Sequence, residues 1–121
     1  MILADSSVWL HHLRKGDGHF AAALDADIIV VHPFVIGELA LGSHADRVRF
    51  LWRLGRLARL PVVRNEAVSA LIESEGLFGK GIGYVDAHLL ASTRLAAPMR
   101  LWSRDRALQA QAERLGVAFV P

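Results

Sequence analysis

Ile28-Ile29-Val30-Val31 sets four β-branched residues in a row, and His32-Pro33 follows at once. Such a run has no polar position and fits a pleated surface, so it reads as a strand buried on both faces. Pro33 removes a ladder donor and ends it. Phe34 to Leu41 then reads as a helix, closed by Gly42 at its C′ position. A buried strand that runs straight into an apolar helix is the unit of a parallel α/β sheet.

The same alternation extends in both directions from this unit. Upstream, Ile2-Leu3-Ala4 reads as a short buried strand, and Val8–Arg14 and His19–Ala26 as helices. Downstream, Ala45–Arg59 is a strongly amphipathic helix, and Asn65 caps a helix from Glu66 to about Phe78. Gly79, Gly81 and Gly83 make a loop before a helix over Tyr84–Arg94, which stops at the Ala97-Pro98 turn. Leu101-Trp102 is a short strand, Ala107–Leu115 a helix, and Val117–Val120 a last strand. The expected fold is a single α/β domain over residues 1–121, with a short parallel central sheet flanked by helices on both faces.

Composition agrees with one core-forming unit. The chain has 121 residues, 53% of them hydrophobic and 21% charged, enough to bury a sizeable core and unlike a disordered segment. It has no cysteine, which excludes disulfide frameworks, thiolate catalysis and Cys-based zinc sites. No apolar run nears the roughly 20 residues a bilayer needs, and Met1–Asp5 lacks a basic signal-peptide n-region. The expectation is a cytoplasmic protein with no membrane segment. The net charge is only +2, but 12 of the 14 cations are Arg, whose planar fork suits phosphate.

In parallel sheets, ligands bind beyond the carboxyl ends of the strands. Asp5 follows the first strand directly, and Asp105 follows Leu101-Trp102 after Ser103-Arg104. Glu38 stands in the apolar stretch Val35-Ile36-Gly37-Glu38-Leu39-Ala40-Leu41, where burial would be costly unless the charge is paired or bound to a metal. Asp86 opens the helix after Gly81-Ile82-Gly83. Each has a plainer reading: Asp5 and Asp105 as helix N-caps, Asp86 as a complement to the helix dipole, Glu38 on an exposed face or beside an Arg. Together, clustered acids repel unless a cation sits among them, and an all-oxygen set suits Mg²⁺ or Mn²⁺.

Four segments carry a family likeness, in order along the whole chain: Asp5-Ser6-Ser7-Val8-Trp9-Leu10, Glu38-Leu39 with Gly42, Asp86-Ala87-His88-Leu89-Leu90-Ala91-Ser92, and Leu101-Trp102-Ser103-Arg104-Asp105-Arg106. Through them the chain resembles the PIN-domain ribonucleases, and especially VapC-like toxins of toxin–antitoxin pairs. The resemblance implies that Asp5, Glu38, Asp86 and Asp105 form an acidic quartet holding Mg²⁺ or Mn²⁺ for hydrolysis of RNA. Asp5 and Asp86 would be the direct ligands, and Glu38 and Asp105 would act partly through water. Ser7 matches the position that steadies Asp5 or a metal-bound water, and Ser103 the Ser/Thr before the last acid. It implies an antitoxin partner and a homodimer as well. Where some relatives carry a further acid, this chain has Ala107 and Leu108, against a tightly held second metal.

Two other classes compete. A PIN-like module that binds RNA or protein without cutting would be expected to lose acids from the quartet, which is intact here. A haloacid-dehalogenase-type phosphohydrolase expects Asp-x-Asp after the first strand, and Ser7 stands at that place.

Six Arg lie between Arg47 and Arg64, with no acid between Asp46 and Glu66. On a helix, Arg49, Arg53 and Arg56 share a face opposite Phe50, Leu51, Leu54, Leu57 and Ala58. That face reads as a solvated surface, a phosphate-contacting strip, or a partner surface anchored by Trp52. The six histidines show no metal-ligand spacing and read as structural or exposed. Gly79-Lys80-Gly81 lacks the rest of a phosphate loop. Gly81 and Gly83 instead permit a tight approach to the helix bearing Asp86.

Overall fold

A computed structural model describes residues 1–121. In chain order the elements are β1 (Ile2–Ala4), α1 (Ser6–Lys15), α2 (Gly18–Asp25), β2 (Ile29–Val30), α3 (Pro33–Ala40), α4 (Arg47–Leu54), α5 (Asn65–Glu75), α6 (Tyr84–Leu95), β3 (Arg100–Trp102) and α7 (Arg106–Arg114). The three strands form one parallel sheet in the order β2-β1-β3. β1 is central, with Leu3 opposite Val30 on one side and Leu101 on the other. All three β1 residues are buried although their side chains alternate faces, so both faces are covered. The expected α/β architecture is borne out.

Four of the seven helices start at a residue whose side chain caps them. Asp5 caps α1 by accepting the Val8 N–H, Asp17 caps α2, and Asp105 caps α7 by accepting the Leu108 N–H. His32 caps α3 through Nδ1, which accepts the Phe34 N–H at 3.0 Å, while Pro33 pre-sets the first helical position. Around them packs a core of 23 buried apolar residues centred on Phe20, whose ring meets Trp9 edge-on at 4.8 Å and Trp102 at 5.6 Å. No helix is long and apolar enough to cross a membrane.

Four sequence expectations need correction. The helix over Ala45–Arg59 is only α4, Arg47–Leu54. Beyond Gly55 the chain turns to pair with the sheet edge, where the Val31 N–H reaches the Ala58 carbonyl and the Leu60 N–H reaches that of Val31, both at 2.9 Å. Tertiary pairing wins over helical periodicity there. Asn65 is not the cap of α5 but its first helical residue, and its Oδ1 accepts the Tyr84 hydroxyl at 3.0 Å; Arg64 stands at the cap. The strand over Val117–Val120 reduces to one parallel bridge between Leu101 and Ala118. β3 is three residues long, and Leu101 alone turns its backbone to that side: its N–H reaches the Val117 carbonyl and its carbonyl accepts the Phe119 N–H, both at 2.8 Å, while Arg100 and Trp102 face β1. Gly42 does follow α3, but without positive φ. A Cβ there would meet the His44 ring at 2.6 Å, so close packing explains the glycine.

Candidate active site at the sheet edge

Three of the four acids sit where a backbone turn leaves a strand or enters a helix. Asp5 is the residue between β1 and α1 and is 5% exposed. One carboxylate oxygen accepts the Ser7 hydroxyl and the Val8 N–H, the latter at 3.3 Å. The other accepts the Ser103 hydroxyl at 2.6 Å. Ser7 Oγ in turn accepts the Arg104 N–H at 2.9 Å, and Ser103 Oγ accepts the Asp105 N–H at 3.0 Å. The two serines therefore tie the entry of α1 to the entry of α7. Asp86 lies in the first turn of α6 and accepts the Gly83 N–H at 3.0 Å. The plain capping readings of Asp5 and Asp105 are thus real, and they coincide with a place at the site, because helices begin at the carboxyl edge of a parallel sheet.

Glu38 is placed differently from the sequence argument. It lies on the exposed side of α3 between buried Val35 and buried Leu39, with its carboxylate only partly shielded from water, so burial alone does not demand a metal there.

The acids nonetheless feel one another. The Asp5 carboxyl is raised above its usual range, first by burial, then further by the Asp86 charge; Ser103, Ser7 and the Val8 N–H work against the rise. Glu38 is raised too, chiefly by partial loss of water around its carboxylate, opposed by the Ser6 hydroxyl and reinforced by Asp86 and Asp5. Asp86 is raised by burial, offset by the Gly83 N–H, with Asp105 adding repulsion. The four sequence-selected acids therefore stand within each other's fields at one edge.

None of them has a cation to neutralise it. The only ion pairs within 4 Å are Arg64–Glu66 and Arg94–Glu75, both elsewhere. Like charges gathered without a counter-charge, all presenting hard oxygen donors, fit a divalent metal such as Mg²⁺ or Mn²⁺. No three Asp, Glu or His side chains close around a single point as they stand.

The Arg-rich segment divides. Arg47 donates through Nε and Nη2 to the Ala40 carbonyl at 3.0 and 2.6 Å, closing the C-terminal end of α3. Arg49 and Arg53 are one turn apart on exposed α4. Arg56 lies past Gly55, so the shared helix face does not include it; its guanidinium sits over the Trp52 ring, 5.0 Å from the centroid. Trp52 is 62% exposed. Arg53 borders an apolar cleft of about 270 Å³ with Trp9, Leu13, Phe50 and Leu57.

Sequence reasoning missed a second basic group, which adjoins Asp5 through Ser7. Ser7, His11, Arg14 and Lys15 line one cleft on α1, joined by Arg104. Their spacing of four, seven and eight residues from Ser7 is the helical signal that could have found them. Of the histidines, His32 and His88 are fully buried between helices, packed against Phe34 with centroids 5.0 and 4.8 Å away. They are structural, as expected.

No protein-family model matches the chain. The chain is 45% identical over 119 residues to Ribonuclease VapC32 of Mycobacterium tuberculosis, from two strains, which covers 98% of this chain and 96% of the relative. Its fold is similar to the crystal structure of PAE2754 from Pyrobaculum aerophilum, with a TM-score of 0.68, 17% identity, and coverage of 98% of this chain and 87% of that one.

Proposed function

Since the chain belongs to the VapC ribonuclease family, we propose that it is a metal-dependent endoribonuclease that hydrolyses RNA phosphodiester bonds as the toxin of a toxin–antitoxin pair. The observation that carries the metal reading is the unpaired acidic edge of Asp5, Glu38, Asp86 and Asp105.

Asp5 and Asp86 would hold one Mg²⁺ or Mn²⁺ directly, and Glu38 and Asp105 partly through water. When bound, such an ion polarises a phosphoryl oxygen and acidifies water. The chain's own groups do the rest. Ser7 and Ser103 aim the Asp5 carboxylate by donating to each of its oxygens. The Gly83 N–H fixes Asp86. Glu38, more basic than a free carboxylate, takes the proton of the attacking water as its oxygen bonds to phosphorus, and the ester oxygen leaves with its bonding pair as an alkoxide that is protonated by solvent water. We further propose a cytoplasmic homodimer bound by its antitoxin, with Trp52 and Arg53 at the partner surface beside the apolar cleft.

The experiment compares RNA, DNA and p-nitrophenyl phosphate as substrates for wild type and Asp86→Asn. Metal-dependent cleavage of RNA alone, lost in the variant, supports the reading. Metal binding without cleavage of any substrate would favour a non-catalytic binding module.

A further inference from the structure

We propose that the cleft lined by Ser7, Leu10, His11, Arg14, Lys15 and Arg104 is a phosphate subsite, holding the RNA backbone beside the scissile bond. This rests on the ribonuclease reading above and goes beyond it by placing the substrate's path.

The cleft encloses about 390 Å³ and has one apolar residue, Leu10, among its six. No carboxylate lines it, and Arg14, Lys15 and Arg104 are free of ion pairs. Three unneutralised cations with an imidazole make a concentrated positive surface, the complement of a polyanion. Its floor touches the acidic edge directly, since the Ser7 hydroxyl that donates to Asp5 also accepts the Arg104 N–H.

Arg14 also lines a second cleft of about 360 Å³ that contains Glu38, His44 and Phe50. It therefore stands between the two, where a strand passing the acids would cross. The last turn of a helix favours cations for dipole reasons alone, which accounts for Arg14 and Lys15 singly. It does not account for Arg104, which comes from the β3–α7 turn, about 90 residues away in sequence, to the same cleft.

The test uses the full chain carrying Asp86→Asn, so that RNA is bound without being cut. Fluorescence anisotropy of a labelled single-stranded oligoribonucleotide is measured from 50 to 300 mM KCl, with and without Arg14→Ala/Lys15→Ala. The expected result is about tenfold weaker binding at 100 mM salt and a salt slope smaller by about 1.4, roughly 0.7 per lost phosphate contact. In the cleaving protein the same pair should raise KM about tenfold with kcat within about twofold. An unchanged slope overturns the subsite and leaves the nuclease standing. A slope lost instead in Arg49→Ala/Arg53→Ala moves the phosphate track to α4 and also overturns it. So does unchanged RNA binding with lost binding of a polyglutamate peptide, which assigns the cleft to a protein partner. No RNA binding by the parent variant at any salt overturns subsite and ribonuclease reading together. Circular dichroism of each variant checks that it is folded.

Discussion

Ser103 donates to Asp5 at 2.6 Å across 98 residues of sequence, in the buried seam between β1 and β3. Its oxygen at the same time accepts the Asp105 N–H at 3.0 Å. One hydroxyl thus aims a carboxylate and fixes the turn that carries another. Ser103→Ala would leave a buried carboxylate oxygen without its donor, at a cost of about 1–3 kcal/mol. Urea denaturation should show that loss, and the RNA cleavage rate should fall with it. Ser103→Thr, which keeps the hydroxyl, should recover most of both.

The acids make the metal-free protein sensitive to pH in a defined direction. Asp5, Glu38 and Asp86 are raised in the folded state, so the folded chain holds protons that the unfolded chain releases. Their stabilising effect is present below the ordinary carboxylate range and is lost as pH rises through the raised values. Asp86→Asn keeps an acceptor for the Gly83 N–H and removes one charge. At neutral pH without metal it should melt about 2–4 °C higher than wild type. Mn²⁺ should stabilise wild type and leave the variant unmoved; thermal melts at several pH values, with and without Mn²⁺, measure both.

His32 acts in the opposite direction. Its pKa is lowered to about 4, first by burial and then by His88. The unfolded chain therefore binds a proton that the folded chain refuses. The contribution to stability is intact above about 6.5 and is lost as pH falls toward 4. The largest slope is about 1.4 kcal/mol per pH unit. His32→Asn retains a capping acceptor for the Phe34 N–H and does not titrate. The unfolding free energy of wild type should fall relative to that of the variant on acidification over that window, and their difference should be independent of pH around neutrality.

The three tryptophans separate structure from surface. Trp9 and Trp102 are 5% and 3% exposed, Trp52 is 62% exposed. Trp9→Ala should cost about 3–5 kcal/mol by opening a cavity beside Phe20. Trp52→Ala should cost under about 1 kcal/mol and weaken association with the antitoxin instead. Chemical denaturation and a pull-down with the co-expressed partner distinguish the two effects.

Much of this was legible in the amino-acid order because the local rules agreed with the global ones. Ile28–Val31 and Ile2–Ala4 are apolar on both faces, which only a covered parallel sheet permits. Asp5 and Asp105 were readable because a residue after a parallel strand is also the residue before a helix. Glu38 was selected for a burial it does not have; its place beside Asp5 depends on how α3 packs against α1, which no local pattern encodes. The length of α4 was overread because its amphipathic period runs on through residues that the sheet edge claims at Val31. Five of the six residues lining the cationic cleft lie on α1 and follow its helical spacing, but the sixth, Arg104, reaches it only through the seam at Ser7, which no local pattern encodes.

Cleavage of RNA by the purified chain in Mg²⁺, in Mn²⁺ and in EDTA, beside Asp5→Asn, bears most directly on the central claim. The account predicts cleavage that needs the metal, stops with EDTA and is abolished in a folded Asp5→Asn protein. Cleavage that persists in EDTA, or at an unchanged rate in Asp5→Asn, would contradict it.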